Sequence, residues 1–234
     1  MARGTYLEHF FYAGGILSTS APSPSTAPPW RITDTSSAGT PTYTVGFDNG
    51  TSAGIGHFAR LGFSNTNEIQ NVCLSWGDVL TFNIDDLPVI DILIRLGQSA
   101  LDTTTSLVFG VAGDRNDTLD NVAAHVWFRM EGGTSTTAVY YESDDGTTDT
   151  DDQATGQTLT TGWKRARLDF SKGKDIIQPY FTDANGNLKA TPGTLNMSAY
   201  AGCFQPYFQI QKTADTNTDY MDICMFKMTF NEVA

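Results

Sequence analysis

The chain is short of positive charge, of glutamate, of cysteine and of long apolar runs, and each shortage closes off a class of function. Its 234 residues carry 14 Lys and Arg against 26 acidic residues, a net charge of −12. An excess of that size repels phosphate backbones, and the one basic run, Trp163 to Arg167 (WKRAR), is too short to make a stripe, so no nucleic-acid partner is expected. No run approaches the roughly 18 apolar residues of a membrane span, and the first residues (MARGTYLEHFFYAGG) lack the apolar stretch of a secretory signal. No membrane partner is expected, and the chain is expected to be soluble and made in a cytoplasm. Only five acids are Glu (Glu8, Glu68, Glu131, Glu142, Glu232), with no two spaced to share one strand face, which argues against the paired carboxylates of a glycoside hydrolase.

Cysteine is equally sparse. Cys73, Cys203 and Cys224 form an odd count inside apolar runs, which suits buried reduced thiols better than a disulfide framework. The three histidines, His9, His57 and His125, are scattered singly, without zinc-ligand spacing. There is no G-x-S-x-G elbow, no P-loop, and no G-x-G-x-x-G after a strand. No catalytic residue, cofactor or metal site is therefore assigned.

What the chain has in quantity is strand signal. Short runs alternate polar and apolar residues and are bounded by Gly, Asn, Asp or Pro: YTVGF, GIGHFARLGF, EIQNVCLSW, VLTFNI, PVIDILIRLG, TSLVFGVA, AAHVWFRM, TAVYYES, WKRARLDF, IIQPYFTD, CFQPYFQIQK and DYMDICMFKMTF. About a dozen strands without a long amphipathic helix predict an all-β antiparallel sandwich over residues 43–234. Leu119 to Ala123 could form one helical turn, and DANGN (Asp183 to Asn187) reads as a tight hairpin turn. Most of Trp76, Trp127, Trp163, Tyr140 and Tyr141 are expected in the core rather than as exposed sugar platforms.

Two segments depart from the cadence. Residues 1–42 read as an extended N-terminal arm, because Ser18 to Trp30 (STSAPSPSTAPPW) is Pro-rich and cannot form regular ladders. Its aromatics would be costly to leave in water. His9, Phe10, Phe11, Tyr12 and Trp30 are thus expected to anchor the arm on its own sandwich or on a neighbouring subunit, with Pro22, Pro24, Pro28 and Pro29 reducing the entropy lost on ordering. The second segment, Ser143 to Thr158, holds Asp144, Asp145, Asp149, Asp151 and Asp152. Clustered carboxylates repel, so it is expected to be a solvated loop; it lacks the D-x-D-x-D-G frame of a calcium loop.

The blocks from Ile32 to Phe47, Asn67 to Gly97, Leu107 to Asp117, Val126 to Gly132, Thr161 to Ser171 and Phe204 to Phe230 together resemble a concanavalin A-like jelly roll. The version they are most similar to occurs in structural proteins of tailed bacteriophages, notably head decoration or cement proteins. The resemblance implies a non-enzymatic virion protein on the outer capsid surface, often a homotrimer, whose partners are the major capsid protein and itself. The alternative reading is a carbohydrate-binding module or a receptor-binding fibre domain.

Overall fold

A computed structural model describes residues 5–9, 30–47 and 57–230. Among these residues the chain forms two antiparallel sheets of eight strands each. Sheet one comprises β1 (Thr5–His9), β3 (Thr42–Phe47), β4 (His57–Gly62), β7 (Val89–Leu96), β12 (Lys164–Asp169), β13 (Gln178–Thr182), β14 (Leu188–Ala190) and β16 (Tyr220–Thr229), in the order β14-β13-β12-β7-β16-β4-β3. Strand β1 lies along the second half of β16, beyond the end of β4. Sheet two comprises β2 (Arg31–Asp34), β5 (Glu68–Ser75), β6 (Phe82–Asn83), β8 (Thr105–Ala112), β9 (His125–Glu131), β10 (Ala138–Asp144), β11 (Asp149–Thr158) and β15 (Cys203–Asp215), in the order β11-β10-β9-β8-β15-β5-β2, with β6 on β15.

The period-2 alternation read from the sequence is what builds the core. On β7, Ile90, Ile92, Ile94 and Leu96 point inward while Asp91, Leu93 and Arg95 face out; β9 buries Val126, Phe128 and Met130 in the same way. The sheets interlock through aromatics: Phe109 of β8 stacks on Phe128 at 5.4 Å, and Phe181 from sheet one meets both, at 6.4 and 5.6 Å. Each such ring contributes roughly 1.5–3 kcal/mol by leaving water. The Asp183 turn behaves as the sequence implies: its carboxylate accepts from the N–H of Asn185 and Asn187, and Gly186 takes φ +85°.

Two features differ from the sequence reading, and two show where the described part of the arm lies. Residues Asp149–Thr158 are a strand rather than a solvated loop: β11 pairs with β10 at the sheet edge. Its side chains are almost all exposed, so an edge strand with no buried face leaves no apolar alternation to detect. The run from Val79 to Ile84 yields only the two-residue β6 and a short 3-10 turn, Ile84–Asp86. Within the expected arm, β1 joins sheet one and β2 joins sheet two. Trp30, expected to anchor the arm on its own sandwich or on a neighbouring subunit, is only 1% exposed and sits in this chain's own core, with ring centroids about 6 Å from Trp76, Phe208 and Phe226 (6.0, 6.0 and 5.9 Å). A large apolar ring at the root of the arm gains more from a closed core than from a rim contact.

One buried cation closes an end of the sandwich. Lys212 follows Phe208 and Ile210 at inward spacing on β15, is 2% exposed, and directs its ammonium at the backbone carbonyls of Ser64 (2.8 Å), Thr66 (3.1 Å), Asp215 (2.7 Å) and Asn217 (3.0 Å). Burial holds its pKa below the usual lysine range, although Asp215, Glu68 and Asp219 pull the other way.

Candidate functional site

On the outer face of sheet two the middle is closed and one side is open. The outward side chains of β15 are amides and a phenol (Gln205, Tyr207, Gln209, Gln211), those of β5 beside them include Asn71, Cys73 and Ser75, and the β8–β9 connection lies across them. Gln205 Nε2 donates to the Gly113 carbonyl (2.8 Å), the Tyr207 hydroxyl to that of Asn116 (3.4 Å) and Gln209 Nε2 to that of Asp117 (3.4 Å), while the Leu119 N–H donates to Gln211 Oε1 (3.3 Å). The 3-10 turn Leu119–Asn121 that ends this crossing lies where the sequence suggested a helical turn. Leu119 and Val122 then pack with Cys73, Val108, Ala112, Trp127 and Tyr207 into a second small core outside the sheet. Burial there pushes the Cys73 thiol up to about 12, which makes it inert as a nucleophile.

Beside this plug, β9, β10 and β11 frame an open depression of about 350 Å³. Its floor comes from β9 and β10 (His125, Arg129, Glu142, Asp144), one wall from Leu119 and Asp120, and the other from Asp149, Asp151 and Asp152. Cross-strand register makes the floor: Glu142 lies opposite Trp127, and Asp144 opposite His125. Glu142 Oε1 accepts from Trp127 Nε1 and from Arg129 Nη1 (3.4 Å). The same guanidinium reaches Asp120 (2.8 Å) and Glu131 (2.5 Å), and these carboxylates hold its pKa above the usual value in spite of burial. Burial pushes Glu142 up despite Arg129 and Trp127; burial with repulsion from Asp151 and Asp144 raises Asp149, and burial with repulsion from Glu131, Asp151 and Asp120 raises Asp152 in spite of Arg129.

His125 stacks on Trp127 with centroids 3.8 Å apart and planes 9° from parallel. Its Nδ1 lies 3.1 Å from the Val122 carbonyl, so the proton belongs on Nδ1, leaving Nε2 3.8 Å from Glu142. Burial lowers its pKa to about 4. An unfolded histidine protonates near pH 6.5, so between about pH 6.5 and 4 the unfolded chain binds more protons than the folded one, and stability falls as the pH falls. Glu142, with its raised pKa, works in the opposite direction, so the comparison isolates His125. Relative to His125→Phe, the wild type is expected to lose roughly 2–3 kcal/mol across that window, read by urea melts at successive pH values. Parallel pH profiles for the two proteins would refute the assignment.

Glu142 is fixed by Trp127 and Arg129, and among the described residues no group of three His, Cys, Asp or Glu side chains is arranged to hold a metal ion. The Asp-rich hairpin is partly self-satisfied: Asp145 accepts from the N–H of Thr147, Thr148 and Ala199, which hold its pKa down against burial. Glu142 and Asp144 stand two apart on one face of β10, but the residues that complete this gathering, Trp127, Arg129 and His125, come through register with β9, which the sequence does not display. Of the arm residues, His9 ends β1 opposite Met225, Trp30 is in the core, and Phe10, Phe11, Tyr12, Pro22, Pro24, Pro28 and Pro29 lie outside the described residues. Trp76, Trp127 and Tyr141 are buried, as expected of core aromatics.

No family model and no curated protein matches the sequence. Solved structures do match over nearly the whole chain. The protein of unknown function SO2946 from Shewanella oneidensis MR-1 is 10% identical with a TM-score of 0.61, covering 97% of this chain and 86% of that one. The Emp47p carbohydrate recognition domain is 14% identical with a TM-score of 0.56, covering 97% of each chain. The carbohydrate esterase vb_24B_21 from the Shiga toxin-encoding bacteriophage phi24B is 11% identical with a TM-score of 0.51, covering 97% of this chain and all (100%) of that one. At these identities the likeness concerns the fold alone: the chain is an all-β, two-sheet sandwich of the concanavalin A-like kind found in carbohydrate recognition domains.

Proposed function

We propose that the chain is a non-enzymatic structural protein of a phage virion, a decoration or cement protein that binds the major capsid protein on the outer surface of the head. The observation that carries the non-enzymatic part is the outer face of sheet two: its centre is occupied by the chain's own β8–β9 connection, and Glu142 beside it is held by an indole and a guanidinium. The virion part is supported by the resemblance in strand order and by a structural neighbour from a bacteriophage. Strand β1 supports a role for the N-terminus, since it already adds to an edge of β16 by main-chain pairing, a mode that lends itself to joining surfaces.

The test is a co-sedimentation assay with phage heads lacking decoration. A variant with Phe10, Phe11 and Tyr12 changed to Ala retains Trp30, and so the core. It is expected to stay folded and to pellet with heads at least about tenfold less well, since apolar anchors at a docking site each contribute on the order of 1–2 kcal/mol. Equal pelleting of variant and wild type would remove the arm from the interface, and no pelleting of the wild type would remove the virion role.

A second reading, a carbohydrate-binding or receptor-binding module, is favoured by the full-length likeness to a carbohydrate recognition domain and by the open depression over His125 and Arg129. A glycan array separates the two: saturable binding lost in Arg129→Ala supports the module, and a blank array supports the structural role.

A further inference from the structure

The outer face of sheet one bears charge opposite to that of the depression. Asp91 on β7 accepts from Arg165 Nε (3.0 Å) and from Arg167 Nε and Nη2 (2.8 and 3.2 Å), both on β12. Asp222 on β16 accepts from Arg60 Nε and Nη2 (2.7 and 2.9 Å) and from Arg95 Nε (3.0 Å). Two carboxylates thus hold four guanidiniums, half of the eight arginines in the chain, and each cluster keeps one positive charge. Lys227, beside Asp91 in the register of β16 with β7, adds another, and Asp169, two residues from Arg167 on β12, offsets it. The carboxylates lie underneath, with side-chain exposures of 4% and 0%, whereas Arg165, Arg167 and Arg60 reach solvent at 43%, 29% and 28%. Rings hold the cations in place: the Arg60 guanidinium sits 3.9 Å from the Tyr220 centroid and that of Arg95 4.6 Å from Trp163. The face is therefore a fixed cationic surface on a chain of net charge −12.

The opposite outer face presents Asp149, Asp151 and Asp152 on the exposed edge strand β11, next to Asp120. Both surfaces lie on strands of one sandwich, so neither needs ordering before contact. We propose that copies of this chain associate head to tail, the arginine face of sheet one in one copy receiving the acidic β10–β11 hairpin of the next. The two surfaces differ, so the contact is heterologous and either closes into a ring or continues as a chain. The proposal does not rest on the virion reading, because it concerns the purified chain alone.

Sedimentation velocity of the full chain in about 0.15 M salt should show mass rising with protein concentration, and a fall on moving to about 1 M salt, where the Debye length is roughly 3 Å. The variants R165E/R167E and D151K/D152K should each associate at least about tenfold more weakly than wild type. Mixed at equal amounts they should associate with each other far more strongly than either does alone, since the intact arginine face of one meets the intact acidic hairpin of the other. If R165E/R167E fails to fold because Asp91 loses both guanidiniums, D151K/D152K carries the test alone: its changes are on exposed positions, and it should shorten wild-type assemblies by capping them. Wild type that stays monomeric at every concentration, or a D151K/D152K variant that assembles as wild type does, would overturn the proposal. Retention of heparin by a monomeric wild type would assign the arginine face to a foreign polyanion and overturn it equally.

Discussion

Replacing Lys212 with methionine is expected to cost the fold about 3–5 kcal/mol, because buried backbone acceptors lose their shared donor at about 1–3 kcal/mol each, partly offset by the relief of burying a charge. Methionine keeps most of the volume and the apolar stem, so the loss isolates the ammonium. Four backbone carbonyls converge on that group within 3.1 Å, two from the β4–β5 connection and two from the β15–β16 turn. Without it they face one another across a site with little room for water, and each unsatisfied buried acceptor costs about 1–3 kcal/mol. Arginine should not rescue, because a planar fork cannot point donors at carbonyls on several sides. The measurement is the urea midpoint, expected to drop by roughly 1–2 M at a slope of about 2–3 kcal/mol/M. A loss under about 1 kcal/mol would mean that solvent reaches the carbonyls and that the lysine is incidental.

Trp30→Ala is expected to be comparably severe, about 3–5 kcal/mol, the usual cost of truncating a buried large aromatic. The ring is 1% exposed and bridges both sheets: Trp76 and Phe208 belong to sheet two or the loop that follows β5, and Phe226 to sheet one. Denaturant melts followed by far-UV circular dichroism read the effect. The result also decides where the arm ends. A loss of that size makes Trp30 part of the sandwich core, so truncations that probe the N-terminus must stop short of it. A variant as stable as wild type would restore Trp30 to the arm.

Legibility followed burial. Strands such as Val89–Leu96 and Thr105–Ala112 announced themselves because one face packs on the other sheet, and that packing imposes the period of two. The last third, from WKRARLDF to DYMDICMFKMTF, was readable for the same reason. Strands β11 and β14 were not: they sit at sheet edges with mostly exposed side chains, so their pairing is set by the neighbouring strand and not by their own composition. Strand β1 escaped because five residues beside an aromatic patch look the same whether they pair or hang free.

Composition and alternation by themselves determined an acidic, all-β, antiparallel sandwich with reduced cysteines, because each of those properties is local or additive along the chain. Which side chains meet was decided only by register and sheet order. Those bring Glu142 to Trp127 across two strands, place Arg60 and Arg95 on either side of Asp222 from strands far apart in sequence, and carry Lys212 into a ring of carbonyls from two loops. Contacts of that kind depend on long-range pairing, which no short window of residues contains.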